Sequence, residues 1–125
     1  GSNFNVVKTT TSFYAWHTES DSVAALAYAT GSDLAQSTAY QLLIAGNVGD
    51  DADQSLAGSM TLFNPSSTVF VKHFISRINT HGATPYSMDN YIAGYGNTTS
   101  AVNAINFKFD AGNIADGIIK LYGVK

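Results

Sequence analysis

The chain has 125 residues, enough for one domain with a single core. Six Lys and Arg against nine Asp and Glu leave a net charge of −3. The basic residues are scattered, which argues against nucleic acid, since phosphate neutralisation needs them clustered. The absence of cysteine excludes thiol and zinc–thiolate chemistry.

No run of about 20 apolar residues is available to insert into a membrane. Charged residues are only 12% of the chain, and Ser, Thr, Asn, Gly and aromatics abound. That composition belongs to β-rich modules of extracellular and virion surfaces. Gly1-Ser2 reads as the remnant of an expression tag, so the expectation is one domain over 1–125, cut from a longer protein.

In chain order, Phe4 to Thr10 reads as a first strand, with Phe4 and Val6 on one face and Val7 blurring the alternation. Thr9 to Ser12 suits a strand or a turn, and Phe13 to His17 is a short aromatic strand. Ser22 to Thr30 reads two ways. Val23, Leu26 and Ala27 recur at helical spacing behind a Ser20 or Ser22 cap, yet Ala25, Ala27 and Ala29 share a strand face. A strand or irregular segment is favoured there.

Gly31 to Asp33 is a turn, and Ala39 to Ala45 a predicted strand with Tyr40, Leu42 and Ile44 on one side. Gly46 to Asp53 is a polar, glycine-rich, mobile loop. Further strands are predicted over Gly58 to Asn64, Thr68 to Ile78 and Met88 to Gly96. Pro65 stops the first of these, because proline cannot continue a central ladder.

The end of the chain carries the clearest alternation. Ile105, Phe107 and Phe109 interleave with Asn106, Lys108 and Asp110; after the turn-rich Ala111 to Gly117, Ile119 and Leu121 interleave with Lys120 and Tyr122. These read as neighbouring antiparallel strands with Phe107, Phe109, Ile119 and Leu121 in the core. About eight short strands in all predict an all-β fold, an antiparallel β-sandwich resembling a jelly roll.

Few residues suggest chemistry. Asp50, Asp51 and Asp53 form the acidic cluster, and Asp51, Asp53 and Ser55 mimic the alternating ligands of a calcium loop. Leu56 and Leu62 stand where such a loop needs Gly and Glu, so a solvated loop without metal is expected. His17, His73 and His81 lie on separate segments with no metal-ligand spacing. His73 reads as a satisfied strand histidine and His81 as exposed. Ser66 and Ser67 belong to the turn chemistry after Asn64-Pro65. Glu19 is the sole glutamate, so a carboxylate-pair glycosidase would have to draw on loop aspartates. Gly94-Tyr-Gly-Asn97 lacks the ending of a phosphate loop. Neither an enzyme nor a cofactor is expected. The aromatics Tyr14, Trp16, Tyr86, Tyr91 and Tyr95, with Phe13, are candidates for a sugar-stacking platform, in competition with core packing and subunit contacts.

The closing stretch FKFDAGNIADGIIKLYG resembles the C-terminal signature of a family of bacteriophage structural domains found in tail fibre, tail tip and other virion proteins. Phe107, Phe109, Gly112, Asn113, Ile114, Gly117, Leu121, Tyr122 and Gly123 match that signature. Upstream, LAGSMTLFNPSS over 56–67 is similar to the family's second motif, and Ala101 to Ala104 also fits. The resemblance spans Ser55 to Val124. It implies a non-enzymatic module exposed on the virion, self-associating as a homotrimer, touching other virion proteins, and meeting a host surface glycan or receptor. A capsid decoration or purely architectural domain is the variant within that class. A carbohydrate-binding module of a secreted protein is the alternative outside it, with a small hydrolase third.

Overall fold

A computed structural model describes residues 3–124, so the tag-remnant reading of Gly1-Ser2 lies outside the described residues. The described chain is all-β, without helix. Its strands are β1 (Lys8–Thr18), β2 (Ala24–Tyr28), β3 (Leu56–Leu62), β4 (Lys72–His81) and β5 (Tyr86–Gly96). They form one antiparallel sheet of five strands in the order β2-β1-β5-β4-β3. The two longest strands, β1 and β5, lie side by side at its centre.

The end of the first predicted strand, from Lys8, merges with the predicted Phe13–His17 strand, while Phe4 to Val7 lie outside the ladder, with Phe4 at a positive φ of 47°. Thr9 to Ser12 continues the ladder, so β1 runs unbroken through a β-branched stretch that suits a pleated surface. The Ser22 to Thr30 ambiguity resolves as strand β2, paired to β1 from Phe13↔Tyr28 to His17↔Ala24. A tight turn joins them. Thr18 Oγ1 accepts the backbone N–H of Ser22 and of Val23, both at 3.1 Å, and Asp21 takes a positive φ of 56°.

Cross-strand pairing divides the sheet into two faces. One face carries Thr10, Ser12, Tyr14 and Trp16 of β1 beside Gly94, Ile92, Asn90 and Met88 of β5. Lys72, Phe74, Ser76, Ile78 and Thr80 of β4 continue it. A long connection, residues 29–55, straps this face from end to end. It starts beside β1, where Lys8 and Ser37 exchange backbone hydrogen bonds of 2.8 and 3.0 Å. It ends at a bridge between Val48 and Gly82.

The predicted strand over Ala39 to Ala45 lies in this strap. Side chains of the strap and sheet take up its polar groups where a ladder would. Gln41 donates to the carbonyls of Ser32 and Leu42, and Ala45 N–H donates to the Asn90 side chain.

The core beneath the strap is small and polar. Its buried apolar side chains are Ala29, Phe74, Met88 and Ile92, while Thr10, Ser12, Lys72, Ser76, Thr80 and Asn90 are equally buried. Lys72 Nζ donates to the carbonyls of Phe70 and Thr98, at 2.6 and 3.2 Å.

The accessible surface is 8613 Å². A compact monomer of this mass exposes about 6,400 Å², so the protomer shows roughly 2,200 Å² in excess.

The closing stretch accounts for much of that excess. Phe107, Phe109, Ile119 and Leu121, expected in the core, are 40, 37, 68 and 90% exposed. Residues 104–124 form no strand. The expected strand pair and its core placement are not found among the protomer's described residues: a period of two marks alternating residue types but does not supply a partner strand or a covering layer. Five strands are present among the described residues where about eight were expected, the shortfall being the strap and this tail.

Candidate recognition surface

Among the described residues, none forms a covering layer over the reverse side of the sheet. Row by row across the strands it presents Thr9, Tyr95 and His73; then Thr11, Ala93, Ile75 and Thr61; then Tyr28, Phe13, Tyr91, Arg77 and Ser59; then Leu26, Ala15, Asp89, Asn79 and Ala57. Alternation puts apolar and aromatic side chains here as densely as on the strapped side. Leu26 is 72% exposed and Ile75 55%.

The five predicted platform aromatics are divided by this geometry. Tyr14, Trp16 and Tyr86 belong to the strapped face, and Tyr91 and Tyr95 to the bare one. They do not form a single platform. Even-numbered residues of β1 face even-numbered residues of β5, so Phe13 and Trp16 point to opposite sides.

On the bare face the Phe13 and Tyr91 rings stack with centroids 4.7 Å apart and planes 2° from parallel. The Arg77 guanidinium lies 5.0 Å from the Tyr91 centroid. It also grips Asp89 with two nitrogens, Nη2 to Oδ2 at 2.6 Å and Nε to Oδ1 at 3.1 Å. Tyr91 Oη donates to Asp89 Oδ2 at 3.0 Å. The Arg77 hydrogen bonds hold the Asp89 carboxyl below its ordinary range and raise the guanidinium, and the bond to Asp89 pushes the Tyr91 hydroxyl up. Further along, the His73 and Tyr95 rings meet edge to face at 6.0 Å.

Between these groups runs an apolar groove of about 430 Å³, floored by Ala93 and walled by Thr9, Thr11, His73, Ile75 and Tyr95. It exists because Ala93 adds almost no side chain at mid-sheet on this face. On the opposite, strapped side Gly94 is held to glycine by close approach: a Cβ would sit 2.5 Å from both the Thr9 carbonyl and the Thr10 side chain.

The other aromatics gather at one end of the sheet, with the turn after β1, the β4–β5 hairpin and the loop through Asp53. The Trp16 and Tyr86 rings meet edge to face at 5.7 Å and 85°. His17 Nε2 pairs with Asp21 at 2.9 Å, and His81 Nε2 lies 3.7 Å from Glu19. Tyr14 lines a separate cleft of about 310 Å³ with Ala29, Ser32, Leu42 and Ala45, under the strap.

In the acidic loop, Asp51 is engaged with Gln54, whose amide accepts the Asp51 N–H and donates to its carboxylate. Asp50, Asp51 and Asp53 are exposed, and no group of three His, Asp or Glu among the described residues is placed to hold a metal ion.

No family model, curated protein or solved structure matches this chain.

Sequence reasoning did not single out Arg77, Asp89, Ile75 or Leu26 as site residues. The signal was available in β4, where His73, Ile75 and Arg77 share a parity opposite to buried Phe74 and Ser76. That pattern marks a strand with one closed and one open face.

Proposed function

We propose that this chain is a non-enzymatic structural module of a phage virion, of a tail fibre or tail tip, which self-associates and takes part in host attachment. The observation that carries this reading is the surface the protomer leaves uncovered. A four-residue apolar core is small for a domain of this size. An open apolar sheet face and an exposed apolar tail are what a subunit presents before assembly.

The resemblance of 104–123 to virion proteins supplies the biological setting, and homotrimeric association is the state it implies. In that assembly the tail strands and the strap-covered sheet together build the two-layered, jelly-roll-like sandwich of about eight strands. Other virion proteins are the further partners.

Attachment belongs to the loop end of the sheet. There the perpendicular Trp16 and Tyr86 rings offer an apolar edge on the strapped side, while His17 with Asp21 and His81 with Glu19 supply polar groups at the same end of the sheet on its other side. Pyranose C–H faces pack on such rings, and neighbouring donors and acceptors read the hydroxyls. This feature equally favours the second reading, a carbohydrate-binding module of a secreted protein.

Two measurements test the proposal. The purified protein should adsorb to cells of the host and reduce phage adsorption in competition. Binding on a glycan array should fall at least tenfold on Trp16→Ala while the sheet's circular dichroism is unchanged. Absence of competition argues for a capsid-decoration or architectural role, and unchanged glycan binding by Trp16→Ala removes the site from this end.

A further inference from the structure

We infer that residues 104–124 of one copy lie across the bare sheet face of a second copy, seating their apolar side chains in and around the groove over Ala93. This rests on the self-association reading above and adds to it a specific exchange of segments.

Both halves of the contact are incomplete in the same chain. After the Val102 N–H bond to the Pro65 carbonyl at 2.8 Å, the tail makes side-chain contacts with the protomer at Tyr40. Tyr40 Oη donates to Asn106 Oδ1 at 3.2 Å, and the Lys108 ammonium lies 4.3 Å from the Tyr40 ring centroid. From Ile105 onward its apolar residues are exposed, up to Val124 at 94%. A strand-patterned segment with unpaired backbone and one apolar side is suited to lie against another sheet.

Geometry favours a neighbour over the chain's own sheet. Tyr40 adjoins Gln41, whose amide oxygen accepts the Thr10 hydroxyl on the strapped face. The tail is therefore tied on the strapped side, while the groove and Ile75 lie on the other. Extended at about 3.3 Å per residue, the 15 residues beyond Phe109 reach roughly 50 Å, far enough to cross a second protomer.

Area agrees. The excess surface of roughly 2,200 Å² exceeds the 800 Å² or so that each partner contributes to a standard interface. Each copy carries one donor tail and one acceptor face, so the exchange closes around a symmetric ring and leaves neither uncovered.

The natural absence of cysteine makes the test direct. Ile75→Cys and Ile119→Cys chains are refolded together and treated with a short bismaleimide. The expected product is a covalent pair joining the two variants, located by mass spectrometry of the linked peptides. In the double variant, a link within one chain overturns the exchange, because the tail then folds back on its own sheet. Dominant pairing of Ile75→Cys with itself also overturns it, indicating sheet-to-sheet packing.

A check on the unaltered chain uses mixed light and heavy nitrogen isotopes and zero-length carbodiimide coupling. Lys108 or Lys120 should couple to Asp89 in mixed-isotope peptides, and coupling confined to single-isotope peptides would be contrary. Sedimentation of the same samples separates the two claims. An oligomer without tail-to-face links overturns the exchange alone, whereas a monomer overturns self-association as well.

Discussion

Asn90 ties the strap to the sheet through Ala45: its Oδ1 accepts the Ala45 backbone N–H at 2.8 Å. The same side chain donates through Nδ2 to the Ile78 carbonyl at 3.1 Å and to Thr80 Oγ1 at 3.3 Å. Asn90 is 1% exposed, so its own amide lacks water as a substitute. One amide thus links strand β5, strand β4 and the crossing connection.

Asn90→Ala should cost about 1–3 kcal/mol, the desolvation penalty of a buried group left without its partner. The effect should be local as well as global. Hydrogen exchange at residues 39–49 should accelerate more than exchange at the centre of β1 or β5. Uniform acceleration would show that the strap is held elsewhere.

Ser12 and Ser76 flank Ile92 in the same cross-strand row, and neither hydroxyl has a partner. Both are buried, at 0 and 2% exposure. Ser76→Ala removes an orphaned polar atom with little change of volume, so it should be neutral or stabilising by about 1 kcal/mol in urea unfolding. Ile92→Ala, one position away across the sheet, should cost about 2–5 kcal/mol. A Ser76→Ala loss comparable to that of Ile92→Ala would contradict this assignment.

The Arg77–Asp89 pair makes a prediction about acid. Hydrogen bonds from Arg77 hold the Asp89 carboxyl below its ordinary value. A depressed carboxyl contributes stability above its unfolded value of about 3.9, and loses it as pH falls through the folded value. Asp89→Asn should therefore lower Tm at pH 7, and the gap from wild type should close as pH drops below about 4. A gap unchanged at pH 2.5 would rule out the pairing as its source.

Gly82 is required by close approach. A Cβ there would overlap the Tyr86 ring. Tyr86 stands against Trp16, the only tryptophan, so Gly82→Ala should shift the emission maximum and quenching of the native protein. Melting should fall only modestly, since the hairpin lies at the sheet's end. Unaltered emission would separate Tyr86 from Trp16 in solution.

Much of the sheet was legible from alternation. Residues 24–28, 56–62, 72–81 and 86–96 fall within or close to segments whose period of two, β-branched content and bounding turns predict strands. Asn64-Pro65 marked a real stop. What alternation lacks is the identity of the partner. Tyr40, Leu42 and Ile44 carry the same pattern as a strand but lie in the strap, because Asn90 takes up the Ala45 backbone group. Phe107 and Phe109 carry the strongest pattern and have no covering layer within the protomer.

The aromatic platform failed as a single unit for a related reason. Spacing along β1 distinguishes Phe13 from Trp16, but assigning Tyr86 and Tyr91 to their sides needs the β1–β5 register. Phe13 and Tyr91 meet only because they are cross-strand partners. The bare face, and Arg77 with Asp89 on it, becomes visible once that register is known.

The account turns on whether the protomer stands alone. Sedimentation equilibrium of the intact 13.2 kDa chain at micromolar concentration measures this most directly. The predicted result is an oligomer, a trimer of about 40 kDa, that dissociates on removal of residues 104–125. A stable, fully folded monomer, which that truncation leaves monomeric, would contradict it.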